Sequence, residues 1–106
     1  MSVNINAEMQ YYKGPAYVIG ERYQNGNAAL QLYLRDGEPL AKATINIPDI
    51  QLGRFDVIIK NYSENEGMLQ TLLDNKIIEP TNDTAFSIAD GGSYDVYRII
   101  QPERFE

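Results

Sequence analysis

The chain has no cysteine and no histidine among its 106 residues. Without cysteine there is no disulfide, no thiolate metal site and no cysteine nucleophile. Without histidine the commonest general base and the commonest metal ligand are both missing. A Ser-His-Asp triad, a histidine-ligated zinc site and a phosphohistidine mechanism are therefore excluded for this chain alone. No run of about 18 apolar residues occurs, so no membrane span is expected. The segment from Met1 to Gln10 has neither a positive n-region nor an apolar h-region, so no signal peptide is expected. Absence of cysteine fits a reducing cytosol, and a soluble cytoplasmic protein is the expectation.

Cations are scarce in one third of the chain. From Met1 to Lys60 acidic and basic residues balance, and they balance again from Val96 onward. Between Asn61 and Asp95, Glu64, Glu66, Asp74, Glu79, Asp83, Asp90 and Asp95 face only Lys76, so the whole net charge of −6 lies there. Such a surface lacks the Lys and Arg that phosphate neutralisation needs, which argues against direct nucleic-acid binding. It suits a protein partner with a basic surface. Simple solubility of a helix face and its loops explains the same charge.

What is present reads as one α+β domain over residues 1–106, a twisted antiparallel β-meander with one main α-helix packed on one face. Ala16 to Tyr23 alternates, and Asn25-Gly26 then supplies a hairpin turn. Ala28 to Leu34 follows with Ala28, Leu30, Leu32 and Leu34 inward, and Asp36-Gly37-Glu38-Pro39 makes a second turn. Leu40 to Ile47 reads as one strand ended by Pro48. Asp49 to Arg54 reads as a loop, and Phe55 to Lys60 as a β-branched strand. Ile77 to Glu79 is a short extended piece, and Asn82 to Thr84 a turn. Ala85 to Ile88 and Tyr94 to Ile100 form a last hairpin with a central final strand. Val3, Ile5, Ala7 and Met9 alternate as an edge strand within residues 1–13, and Pro102 to Glu106 is expected to fray.

The helix is expected from Glu64 to Asn75. Ser63 stands three residues before Glu66, the capping-box spacing, and Met68, Leu69, Leu72 and Leu73 form the apolar stripe. Gly67 in the first turns costs about 1 kcal/mol relative to alanine. That cost hints at a close backbone approach, with a neutral glycine as the simpler reading. A sheet covered by one helix leaves a face on which Tyr17, Tyr23, Tyr33 and Tyr97 would lie. They form either an exposed interaction patch or a second minor core under the N-terminal segment.

No chemistry is nominated. Glu64 and Glu66, two apart on a helix, do not face each other. The Asp90-Gly91-Gly92-Ser93-Tyr94-Asp95 stretch lacks the ligand spacing of a calcium loop, and a hairpin turn explains its glycines better. The expectation is no enzyme, no catalytic residue, no cofactor and no metal. The residues assigned to protein contact are Glu64, Asn65, Glu66, Asp74, Glu79 and Asp83.

Between Arg22 and Thr81 the chain resembles a family of small uncharacterised bacterial domains found in plasmids, conjugative elements and prophages. The residues that carry the likeness are Tyr23-Gln24-Asn25-Gly26, Ala29-Leu30-Gln31-Leu32, Asp36-Gly37-Glu38-Pro39, Asn46-Ile47-Pro48, Lys60 to Gly67 and Ile77 to Thr81. The run Tyr62-Ser63-Glu64-Asn65-Glu66-Gly67 is its most specific part. The resemblance implies an accessory protein of a mobile element in a bacterial cytoplasm and assigns no residue a role. The functional expectation is a non-catalytic protein-binding module. The alternatives are a homodimer formed by sheet-edge pairing and, more distantly, a DNA-mimicking inhibitor.

Overall fold

A computed structural model describes residues 2–105 as an α+β fold. Eight strands among the described residues form two four-stranded antiparallel sheets. The first sheet runs β1 (Ser2–Glu8), β2 (Lys13–Arg22), β3 (Ala28–Tyr33), β4 (Pro39–Lys42), in that order. The second comprises β5 (Thr44–Ile45), β6 (Asp56–Ile59), β7 (Ile78–Phe86) and β8 (Ser93–Ile99), ordered β5-β6-β8-β7. Helix α1 (Met68–Asp74) packs chiefly against β1. Met68 and Leu72 on α1, Ile5, Val18, Leu30 and Leu32 on the first sheet, and Val57 and Ile99 on the second share one buried core.

The β2–β3 connection shows how local chemistry sets a turn. Gly26 N donates to Tyr23 O, Tyr23 N donates to Asn27 O, and Asn25 Oδ1 accepts from Asn27 N. Only Gly26 is left-handed, at φ +91°, so this is a turn closed by a glycine bulge rather than a two-residue turn. The Asp36-Gly37 connection repeats the same bonds between Leu34, Gly37 and Glu38, with Asp36 Oδ1 accepting from Glu38 N.

The expected single strand Leu40 to Ile47 serves two sheets instead. Ala43 is fully buried, its N–H donates to Leu30 O, and its carbonyl accepts from Lys60 N. One residue thus bonds both sheets, and the chain crosses between them there. The expected turn Asn82 to Thr84 is a bulge inside the longer β7. Pro80 has no donor for the ladder, Asn82 is left-handed at φ +66°, and Thr81 Oγ1 donates to Val96 O while accepting from Asp83 N. β8 is central, between β6 and β7, as its mixed faces predict.

The helix entrance differs from the capping-box reading. Ser63–Asn65 forms a separate 3-10 turn with Ser63 at φ +55°, and α1 begins only after Gly67, with no side-chain cap. The cause lies in β1. Gln10 N donates to Glu66 O, and a Cβ on Gly67 would stand 2.9 Å from both Glu8 O and Met9 Cα. The chain is pinned where only glycine fits, so the helix cannot continue back to Glu64. Asn61 supplies the missing acceptor, with Leu69 N donating to its Oδ1. Ser63→Ala is therefore expected to change stability by no more than about 0.5 kcal/mol, rather than the ~1 kcal/mol of a lost cap. Matched urea midpoints would bear this out, and a shift worth ~1 kcal/mol would restore Ser63 as a cap.

At its other end α1 closes by a Schellman motif. Ile77 N donates to Leu72 O and Lys76 N to Leu73 O, with Lys76 left-handed at φ +59°. Leu72 and Ile77, the apolar pair of that motif, are both fully buried.

β1 is the expected edge strand, but α1 covers part of its outer edge. Asn6 N donates to Asn75 Oδ1, Asn75 Nδ2 donates to Asn6 O, and Glu8 N donates to Thr71 Oγ1. The C-terminal segment is not frayed. Pro102–Phe105 is a 3-10 turn, Phe105 sits on Gly20, and Arg104 donates to the carbonyls of Lys76 and Ile100. Glu106, also within the expected frayed tail, lies outside the described residues, as does Met1.

The tyrosine face divides. Tyr17 and Tyr33, paired across β2 and β3, stack at 5.4 Å between ring centres. Tyr23 leaves that face to hydrogen-bond Thr44, and Tyr97 packs against the core. β1 lies beside these rings, with Asn4 opposite Tyr17, and does not cover them.

Candidate protein-binding groove

Residues of the acidic third line part of an apolar groove. β6 ends at Ile59, and the chain turns through Tyr62 into the 3-10 turn. α1 brings Leu69 to one wall, while β5 supplies Ile45 and β8 supplies Tyr94 and Tyr97. The groove holds about 330 Å³, at the low end of the range for ligand clefts. Tyr62 is 55 % exposed, which is high for so large a ring.

The groove is rimmed by carboxylates. Asp95 lines it directly. Asp90 accepts the Tyr94 hydroxyl at 2.6 Å and Gly92 N. Both bonds favour the ionised form, the tyrosine's more strongly, so Asp90 is held below its ordinary pKa and Tyr94 is raised. Lys60 lies over the Tyr62 ring at 5.7 Å and is bonded to Glu64. That bond raises Lys60 and lowers Glu64. The cation beside the groove is thus already neutralised, and Asp90 and Asp95 remain as its net charge.

Asp49 steadies the hairpin that carries Asp90 and Tyr94. Its carboxylate accepts from Ser87 Oγ at 2.8 Å and from the backbone N–H groups of Ile88 and Ala89. The Ser87 bond leads in holding Asp49 below its ordinary pKa; partial desolvation opposes it, and the two amides add to the lowering. A depressed folded pKa contributes stability above the unfolded value and loses it as pH falls through the folded one. Asp49→Asn is accordingly expected to lower the urea midpoint at neutral pH, with the gap from wild type closing as pH drops below the ordinary aspartate range. A gap that persists unchanged in acid would remove the carboxylate from the explanation.

The six residues assigned to contact from sequence do not form one surface. Glu64 bonds Lys60, which lies over the Tyr62 ring of the groove. Asn65 is a correction: it is 1 % exposed and donates to Lys42 O and Lys60 O, so it holds the fold together and presents nothing to a partner. Glu66 is exposed, and its carbonyl ties Gln10. Asp74 ends α1, accepting from Gln70. Glu79 and Asp83 lie on β7, where both help raise the pKa of Arg98 behind the larger effect of Asp56. Of the groove residues, Tyr97 is one of the four tyrosines that the sequence offers as an interaction patch, and Leu69 belongs to the expected helix stripe; Tyr62 and Tyr94 carry no such signal.

Among the described residues no group of three or more acidic side chains could hold a metal ion. No helix among them is long and apolar enough to cross a membrane. No family model, curated protein or solved structure matches this chain.

Proposed function

We propose that this chain is a non-catalytic protein-binding module whose groove takes an apolar segment flanked by basic residues. The observation that carries the reading is that Tyr62, Leu69, Tyr94 and Asp95 of the acidic third line an apolar groove. Aromatic and branched side chains offer contact area, and tyrosine is enriched at interaction surfaces. Asp90 and Asp95 at the rim offer steering to a basic partner. The likeness of residues 22–81 to small domains of plasmids, conjugative elements and prophages supports an accessory role for a mobile element, in a bacterial cytoplasm. Assembly by sheet-edge pairing has less support. α1 occupies outer groups of β1, and Pro80 and the bulge interrupt β7, both devices that blunt an edge.

The test compares capture from a bacterial lysate by wild type and by a Tyr62→Ala, Asp95→Lys variant of unchanged stability. The expected result is a protein retained by wild type and lost by the variant. Its association with wild type should slow as salt rises from about 0.05 to about 0.5 M, where the screening length falls several-fold. A partner indifferent to both changes would take the groove out of the reading and leave the Tyr17–Tyr33 face as the next candidate.

A further inference from the structure

A second hollow, of about 250 Å³, lies where the C-terminal turn closes on the first sheet. Ala28, Ala29, Phe55, Ile99 and Phe105 give it an apolar floor and walls. Phe105 reaches it because Gly20 has no side chain: a Cβ there would stand 2.9 Å from the Phe105 Cβ. At its mouth stand Arg22 and Arg54. Each guanidinium lies 5.3 Å from the centre of the Phe55 ring.

These two cations are unusual in a chain of net charge −6. Among the described residues neither forms an ion pair; the carboxylates that do so pair with Lys42, Lys60 and Arg98. Arg22 uses Nη1 on the carbonyls of Gly26 and Arg54, and its Nε and Nη2 make no hydrogen bond there. Among the described residues the Arg54 guanidinium makes none. Two planar forks with donors to spare, both close to one ring, match a carboxylate. Glu21 also lines the hollow but is paired with Lys42 at 3.4 Å, and the lining beneath the two arginines is otherwise apolar, so it suits hydrocarbon. The volume lies below that of drug-sized clefts, so the occupant is small.

We propose that this hollow binds a carboxylate carrying a short apolar chain, independently of the groove described above. Such a group comes either as a free aliphatic acid or as the last residue of a peptide. Arg22 and Arg54 hold the carboxylate, and the chain lies against Ala29, Phe55 and Phe105.

The test is a titration of the full ¹⁵N-labelled chain, followed by NMR, with hexanoate, with hexanamide as its uncharged counterpart, and with N-acetyl-Ala-Leu. Saturable shifts at Gly20, Ala28, Ala29 and Phe55 are expected with hexanoate or with the peptide. The tighter ligand identifies the source. Hexanamide should bind at least about tenfold more weakly, and Arg54→Gln should weaken the acid by about tenfold, as loss of a hydrogen bond to a charged group implies. Arg35→Gln, which removes the same charge from an exposed turn, should change nothing. No saturable shift at those amides with either acid overturns the proposal. So does equal binding of hexanamide, or an Arg54→Gln variant that binds like wild type.

Discussion

Gly67→Ala is expected to destabilise the domain by about 3 kcal/mol. Two independent costs meet at this residue. Its φ of +97° lies in the left-handed region, where a side chain costs about 1–2 kcal/mol. Its Cβ would also stand 2.9 Å from Glu8 O and from Met9 Cα. Those are backbone atoms of the β1 end and cannot swing aside as a flexible side chain would, and forced overpacking of this kind costs about 1–3 kcal/mol. Gly26 is the matched control. Its φ is +91°, and nothing lies within 4 Å of the Cβ position, so Gly26→Ala should cost only the conformational part. Urea unfolding of both variants separates the two contributions. Equal losses would mean that the contact with β1 relaxes freely.

Asn65→Asp is expected to cost about 4 kcal/mol at neutral pH, a large share of the roughly 5–15 kcal/mol that holds a domain folded. Asn65 Nδ2 donates to Lys42 O at 2.6 Å and to Lys60 O at 3.1 Å. Those carbonyls belong to the end of β4 and to the loop after β6, so one amide ties the two sheets beside their crossing point. An ionised aspartate has no proton to donate and would hold a charge in a site 1 % exposed. Burial raises the carboxyl pKa. The protonated form is then favoured in the folded state, so the deficit should be smallest below the unfolded aspartate value and grow as pH rises from there through the folded value. Asn65→Ala removes the donor without adding a charge and should cost less, about 2 kcal/mol, with no such pH dependence. The check is chemical unfolding of wild type and both variants at neutral and acidic pH. A deficit for Asn65→Asp that is the same at both would show that the carboxylate escapes to solvent.

The features legible in the sequence are those set by nearby residues. Asn25-Gly26 and Asp36-Gly37 fix their hairpins through bonds spanning five residues. The alternation of Ala28, Leu30 and Leu32, and the stripe of Met68 and Leu72, point to the core that is found. What escaped is set by distant partners. The Ser63–Glu66 spacing satisfies the local rule for a helix start, yet the approach of β1 to Gly67 decides where α1 begins. Leu40 to Ile47 alternates without interruption, so nothing local marks Ala43 as the crossing. Pro80 and Asn82 are turn residues that serve equally in a bulge, and only pairing with β8 distinguishes the two. Phe105 is held by a glycine 85 positions earlier. The groove is hardest to read, because Ile45, Ile59, Tyr62, Leu69, Tyr94 and Tyr97 share no periodicity. The charge count pointed to carboxylates on separate elements rather than to the apolar groove that Tyr62, Leu69 and Tyr94 help to line.

The bonds from α1 to the outer edge of β1 make the helix a stand-in for a missing neighbouring strand. The Asn75 side-chain amide exchanges two hydrogen bonds with Asn6, as a peptide group across a ladder would, and Thr71 takes the next outward N–H, that of Glu8. Amide protons on an outer edge ordinarily exchange quickly with solvent deuterium, because no strand shields them. Here the protons of Asn6 and Glu8 are bonded to side chains of α1 and its cap, so lifting of α1 would release both. Two residues near the start of the chain are therefore reporters of a helix more than sixty positions later. Their exchange follows the local opening of that helix rather than the fraying of the strand they belong to.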